Sequence, residues 1–181
     1  MNVIPMADLS HHPKVLSREA RIETFGEFFY SESKRSRGEI EILDLEWMQN
    51  LVPARVSEMT QIHGFPHSGM VMLHRKVVPS FRAAMDDILD DGLIGYLLTW
   101  DGGFVARHIG WNPARQLSSH SWGIAFDVNA RWNAYGSKPA EHDAPGSVHA
   151  LVPILEKHGW AWGGRWNTPD GMHFEHSGEG L

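Results

Sequence analysis

An alternating run at residues 123–129 constrains the fold more than any other stretch of the chain. Every second residue in it is apolar, and the residues between are small or polar. The apolar positions are Ile124, Phe126 and Val128. A period of two predicts a β-strand with one face on the core. Its other face presents Asp127 between residues too small to crowd the carboxylate, and His120 lies just before the strand.

The same alternation returns at residues 170–176, near the end of the given sequence. Here the apolar residues face inward, while His173 and Glu175 share the opposite face. If the two strands pair, His120, Asp127 and His173 converge on one point. Two imidazoles and one carboxylate, with a fourth position left for water, form the ligand set of a catalytic zinc ion.

Asp170 lies at the turn before His173, close enough to accept a proton from such a water. Glu175 is the second candidate for this base, although we expect it instead to support a ligand. The plainer alternative is two ordinary core strands whose polar faces are incidental. Alternation alone favours that alternative, but histidine and acid recurring on both strands favour a metal site.

Composition narrows the classes of function. With 181 residues, the chain is long enough for one domain with a buried core. A net charge of −6 and a pI near 6.0 argue against a nucleic-acid binder, because such proteins need a basic surface. The chain has no cysteine, so histidine and carboxylate must hold any zinc.

The remaining pattern predicts an α+β domain, with helices packed on a central, mainly antiparallel sheet. Short strands are expected at 25–30, 39–43 and 94–100, and helices from Asp44 to Pro53, over 75–91 and from Ser147. The loop at 130–146 is long enough to border a binding site. We divide the compact unit into an N-terminal arm with a small hairpin and helix (residues 1–62) and a catalytic domain (residues 63–181).

Several separated motifs resemble one family of zinc peptidases. The pattern S-x-H, six residues and then D occurs as Ser118, His120 and Asp127, and an acid precedes a second metal-binding histidine at Asp170 and His173. The segments at 123–129 and 159–166 are also similar. The family includes D-Ala-D-Ala carboxypeptidases, VanX and VanY, and phage L-alanyl-D-glutamate endopeptidases, and its fold resembles the hedgehog signalling domain.

This resemblance implies one zinc ion held by His120, Asp127 and His173, with Asp170 as the catalytic base. It also implies that Arg107 steadies a substrate carbonyl or carboxylate. An aspartate rather than a glutamate at the base position is similar to the phage endopeptidases. We further expect Ser118 to orient a ligand or contact substrate, and Trp162 to line the cleft.

The sequence therefore predicts a zinc-dependent peptidase that cleaves peptidoglycan stem peptides with a metal-activated water. The favoured version is a phage endolysin cutting between L-Ala and D-Glu. The alternatives are a D-alanyl-D-alanine carboxypeptidase or dipeptidase and a non-catalytic, metal-binding wall module. We expect a monomer without a membrane span, made in the cytoplasm without a signal peptide and released to the cell wall during lysis.

Overall fold

Short strands, four α-helices and several 3-10 helices make up the regular structure of residues 11–181, the part of the chain that the computed structural model describes. The helices are α1 Arg18–Phe25, α2 Leu45–Met48, α3 Val78–Asp90 and α4 Val152–Lys157. The strands are β1 Tyr30–Glu32, β2 Ile40–Ile42, β3 Leu51–Arg55, β4 Met70–His74, β5 Trp100–Gly102, β6 Ala125–Val128, β7 Trp160–Trp162 and β8 His173–His176. The predicted α+β class is confirmed. Part of the predicted N-terminal arm, residues 1–10, lies outside the described residues.

A four-stranded antiparallel sheet carries the two alternating segments. Its strand order is β5-β6-β8-β7, so the strands predicted to pair are neighbours at its centre. The register sets Ala125 opposite Glu175, Phe126 opposite Phe174, and Asp127 opposite His173. Because side chains alternate along a strand, this register places the polar residues of both strands on one face.

Aromatic packing on the opposite face holds the sheet to the helices. The rings of Phe126 and Phe174 stack with centroids 5.6 Å apart, and Trp160 packs 4.9 Å from Phe126. Phe81 of α3 meets Phe126 edge-on at 5.4 Å. These side chains are almost fully buried, so the apolar half of each alternating strand anchors its polar half in place.

The front section, residues 11–62 among those described, packs against the remainder of the chain. Phe25 contacts the ring of His74 at 5.0 Å, and Phe28 contacts that of Trp122 at 5.0 Å. The β1–β2 hairpin continues this contact, since the Ile40 amide donates to the carbonyl of Ala106. The division into an arm with a hairpin and a catalytic domain stays a prediction.

The strand predicted at 25–30 was wrong except at its end, because Phe25 is the last residue of helix α1 and residues 26–29 form no regular element. Ser17 caps the helix by accepting a hydrogen bond from the Ala20 amide at 3.2 Å. Gly26 ends it, with a φ of 86° that favours glycine. Only Tyr30 from the predicted segment enters β1.

Three other predicted elements also differ from the observed ones. Asp44 caps α2 as expected, but residues 51–55 pair with β4 instead of continuing that helix. The strand predicted at 94–100 is wrong over most of its length. Residues Ile94–Tyr96 form a 3-10 helix, and the side-chain oxygen of Asn129 accepts hydrogen bonds from the amides of Leu98 and Thr99. Helix α4 begins at Val152 rather than near Ser147.

The long helix is close to its prediction. Helix α3 begins a few residues later than expected, and Gly92 follows it with a φ of 70°. None of the helices within residues 11–181 is long and apolar enough to cross a membrane.

Candidate active site

A tight turn delivers His120 to the polar face of the central sheet. The residue lies in a short 3-10 helix, Ser119–Trp122, capped by the Ser118 hydroxyl. Gly123 then returns the chain into β6 with a φ of 67°. A Cβ atom at Gly123 would stand 2.9 Å from the backbone nitrogen of His74, so both the conformation and the space require glycine.

His120, Asp127 and His173 form one cluster, as the sequence predicted. A ligand atom from each lies within 4.8 Å of the other two. Nε2 of His120 is 3.3 Å from Asp127 Oδ2 and 3.2 Å from His173 Nδ1. His173 Nδ1 is 2.9 Å from Asp127 Oδ1. Both histidines are buried, so the three groups converge on a site shielded from bulk water.

In each imidazole, the outer nitrogen, which faces away from Asp127, already has a hydrogen-bond acceptor. Nδ1 of His120 is 2.6 Å from the carbonyl oxygen of Gly103. Nε2 of His173 is 3.1 Å from a carboxylate oxygen of Glu175. If these outer nitrogens carry the protons, the lone pairs of the inner nitrogens point at Asp127. Two such nitrogens and one carboxylate oxygen are a donor set that fits zinc.

The electrostatics of the cluster favour a bound cation. Burial alone would raise the pKa of Asp127, but His120 and His173 hold it well below its ordinary value. Burial would lower the pKa of His173, yet hydrogen bonds to Asp127 and Glu175 raise it to about 10. In the chain without metal, a proton on His173 therefore balances the buried carboxylates. A divalent ion could supply that positive charge instead.

Asp170 stands beside the cluster without belonging to it. The residue lines the same cavity, and the His173 amide donates to its carbonyl oxygen at 3.1 Å. Burial raises the pKa of the Asp170 carboxyl, and the charge of Asp127 adds to this increase. Its Oδ1 is buried and has no hydrogen-bond partner in the described residues. A carboxylate with an unused acceptor and a raised pKa is suited to proton transfer.

Arg107 reaches the cavity from the chain segment before the 3-10 helix. Its guanidinium lies 5.3 Å from the ring centroid of Trp111, and its backbone amide donates to the Ser121 hydroxyl at 2.9 Å. Burial lowers the pKa of Arg107, while Asp127 and Asp170 act in the opposite direction. A guanidinium holds its proton so strongly that the side chain nevertheless stays cationic.

The cavity that these groups line has a volume of about 520 Å³. Ser118 lines it, and the long loop borders it through Tyr135. That loop is tied to the turn before β8 by a 2.7 Å hydrogen bond from the Gly136 amide to the carbonyl of Pro169.

The expectation that Trp162 lines the cleft is wrong. Trp162 is buried, and its indole N–H donates to the carbonyl of Gly171 at 2.8 Å, which supports the turn carrying Asp170. Trp166 lines the cavity in place of Trp162, with its ring centroid 5.3 Å from that of His173. The period-two pattern of β7 turns Trp162 into the core, whereas Trp166 follows that strand and a short 3-10 helix.

Sequence reasoning missed Arg21 altogether. This arginine of α1 lines the cavity although it lies far from His120 in the sequence. No local motif marks it, because its position depends on how α1 packs against distant residues.

Comparison with known proteins supports the family that the motifs predicted. Residues 112–176 match the family model for D-alanyl-D-alanine carboxypeptidase, of the M15/VanY peptidases. The match includes the clustered histidines and Asp170, but Arg107 and the front section lie outside it. No curated protein and no solved structure gave a significant match. The predicted family resemblance is confirmed, and the match supports a carboxypeptidase-like peptidase.

Proposed function

We propose that this chain is a zinc-dependent peptidase that hydrolyses an amide bond in the stem peptides of bacterial peptidoglycan. The observation that carries the proposal is the convergence of His120, Asp127 and His173 within a cavity that Asp170 also lines. These three side chains would hold one zinc ion. A metal-binding module without activity would need the cluster, but not an adjacent acid with a raised pKa and an unused acceptor oxygen.

Zinc in such a site lowers the pKa of water from about 15.7 to about 7 and polarises a carbonyl group. The protein's own contribution begins with the orientation of its ligands. The outer nitrogens of the two imidazoles are hydrogen-bonded to Gly103 and Glu175, so each ring is held in one orientation.

Asp170 performs the proton transfers in this proposal. Its carboxylate accepts the proton of the attacking water and returns it to the leaving nitrogen of the cleaved amide. The raised pKa brings the group closer to the working pH, which favours both the uptake and the release of a proton.

Arg107 binds the oxygen on which negative charge develops, or a carboxylate of the substrate. Its guanidinium is partly buried, so a charge-assisted hydrogen bond there is stronger than one in water. Stacking on Trp111 limits the orientations of the guanidinium before substrate arrives. Ser118 lines the same cavity and, besides capping the turn of His120, is available to contact substrate.

Within this reaction class, we favour cleavage between L-Ala and D-Glu, in the manner of a phage endolysin released at lysis. This preference is supported by Asp170, because phage endopeptidases of this family also have an aspartate, rather than a glutamate, at the position of the base. The cavity also favours a second candidate, a D-alanyl-D-alanine carboxypeptidase. Arg21, Arg107 and Arg115 all line it, and a carboxypeptidase needs a cationic anchor for the free carboxylate of its substrate.

Mass spectrometry of the products separates these possibilities. The protein would be incubated with zinc and purified peptidoglycan, with a His120→Ala/His173→Ala variant as the control. Soluble stem peptides with D-Glu at the N-terminus identify the endopeptidase, and free D-Ala identifies the carboxypeptidase. If several wall types yield no product beyond the control, the chain is a non-catalytic, metal-binding module.

A further inference from the structure

Arg21 of α1 is a buried cation beside the candidate metal site. The residue is only 9% exposed, yet it lines the cavity that holds the clustered histidines. One terminal nitrogen of its guanidinium lies 3.6 Å from Glu175 Oε1, and the other donates to the Leu117 carbonyl at 3.4 Å. Burying a guanidinium is costly unless it has a charged partner, and Glu175 is that partner for Arg21.

Glu175 connects Arg21 to the metal site. Its carboxylate is also buried, and its two oxygens face different partners. Oε1 faces Arg21 at 3.6 Å, whereas Oε2 is 3.1 Å from Nε2 of His173. Three side chains therefore form a row, from the guanidinium through the carboxylate to the imidazole, and the far nitrogen of that imidazole faces Asp127.

The packing of α1 holds Arg21 at the start of this row. Its guanidinium carbon lies 5.3 Å from the ring centroid of Trp122, at the end of the turn that carries His120. The indole of Trp122 donates to the carbonyl of Gly26, directly after α1. The helix is thereby attached to the same turn that positions one of the proposed ligands.

We propose that Arg21 is a positioning residue of the metal centre, supplied by a helix outside the family-matched segment. It holds the Glu175 carboxylate in the orientation that accepts the Nε2–H of His173, which directs the Nδ1 lone pair of His173 toward the metal. The inference rests on the proposed function, because it takes His173 as a zinc ligand. It makes α1 a part of the active site rather than a separate packing element.

Zinc affinity of the purified full chain, measured by competition with a chromogenic chelator, tests this inference without substrate. Arg21→Met keeps aliphatic packing on Trp122 but removes the charge. We expect zinc affinity to fall about tenfold, as for other residues that orient metal ligands. Arg21→Lys should retain part of the affinity, because it keeps a cation near Glu175. Arg18→Met, on an exposed position of the same helix, is the matched control and should bind zinc like the unmodified chain.

Glu175→Gln provides a second test, because glutamine has nearly the same size as glutamate but carries no charge. Its effect on zinc affinity should resemble that of Arg21→Met, and the double variant should lose little more than either single one, since both changes break one row. If Arg21→Met does not fold, Arg21→Lys and Glu175→Gln still complete such a cycle.

A purely structural contribution of Arg21 gives a different result. In that case, Arg21→Met would lower the melting temperature while the folded protein bound zinc with unchanged affinity, and the inference would be overturned. A full chain that binds zinc but cleaves no peptidoglycan would contradict the proposed function and leave the inference intact. A full chain that binds no zinc would overturn both.

Discussion

Asp127 and His173 lie directly opposite each other on β6 and β8, and the carboxylate Oδ1 is 2.9 Å from the imidazole Nδ1. This pair is set by strand register, because a shift of one residue would turn either side chain to the apolar face. Stacking of Phe126 on Phe174, the adjacent pair in the ladder, holds that register. The core and the candidate metal site therefore depend on the same two strands.

Asp170→Asn should abolish most hydrolysis while leaving zinc bound. The amide has nearly the same shape as the carboxylate, but it cannot accept the proton of the attacking water. We expect kcat to fall by about 10²–10⁴. Product release from peptidoglycan and metal content measured on the same sample check this, with Asp143→Asn as an exposed control. Unchanged hydrolysis would show that Asp170 is not the base.

His120→Ala/His173→Ala should remove stoichiometric zinc. The remaining Asp127 carboxylate is a single ligand, too few to hold the ion against a chelator. Inductively coupled plasma mass spectrometry after dialysis gives the metal content, and His63→Ala/His67→Ala is the control, since both histidines are exposed. Full zinc occupancy in the His120/His173 variant is the result that would refute this ligand set.

Removal of metal should lower the stability of the unmodified chain. Zinc at one hundred times its dissociation constant stabilises a folded state that alone binds it by about 2.7 kcal/mol. Differential scanning calorimetry with and without a chelator measures the shift in melting temperature. The His120→Ala/His173→Ala variant should show no such shift, and a shift of equal size there would indicate another binding site.

Arg107→Lys should reduce kcat/KM although the charge is kept. Lysine lacks the planar guanidinium that can stack on Trp111 while donating from a fixed position. Losing a charge-assisted hydrogen bond worth about 1.5–3 kcal/mol corresponds to a loss of roughly ten- to a hundredfold. Arg131→Lys is a matched control, because Arg131 also stacks on a tryptophan but lies outside the cavity lining. Equal rates for the two variants would contradict the proposed contact with substrate.

Acid should destabilise the fold partly through His176. Burial lowers its pKa from the ordinary 6.5 to about 4. Between these values the unfolded chain binds a proton that the folded chain does not, so stability decreases as the pH falls from about 6.5 toward 4. This one group contributes at most about 1.4 kcal/mol per pH unit. Urea unfolding of a His176→Asn variant should show a shallower pH dependence, and an unchanged slope would count against the assignment.

Local pattern was enough to predict the elements that hold the candidate ligands. The alternation around Phe126 and Phe174 specified two strands and the face of each, because period two is a property of the extended backbone itself. If these strands paired, His120, Asp127 and His173 were expected to converge, and the structure shows both the pairing and the cluster. Their roles as zinc ligands, and those of Asp170 and Arg107, stay proposals.

Only the tertiary structure decided which other residues reach the site. The strand predicted at 25–30 keeps only Tyr30 in β1, and the packing of α1 on Trp122 brings Arg21 to Glu175 across most of the chain. Trp162 was expected in the cleft but is buried, because β7 pairs with β8, and Trp166 lines the cavity instead. Periodicity reports which way a residue faces within its own element. The neighbour it meets depends on long-range packing, which no local pattern encodes.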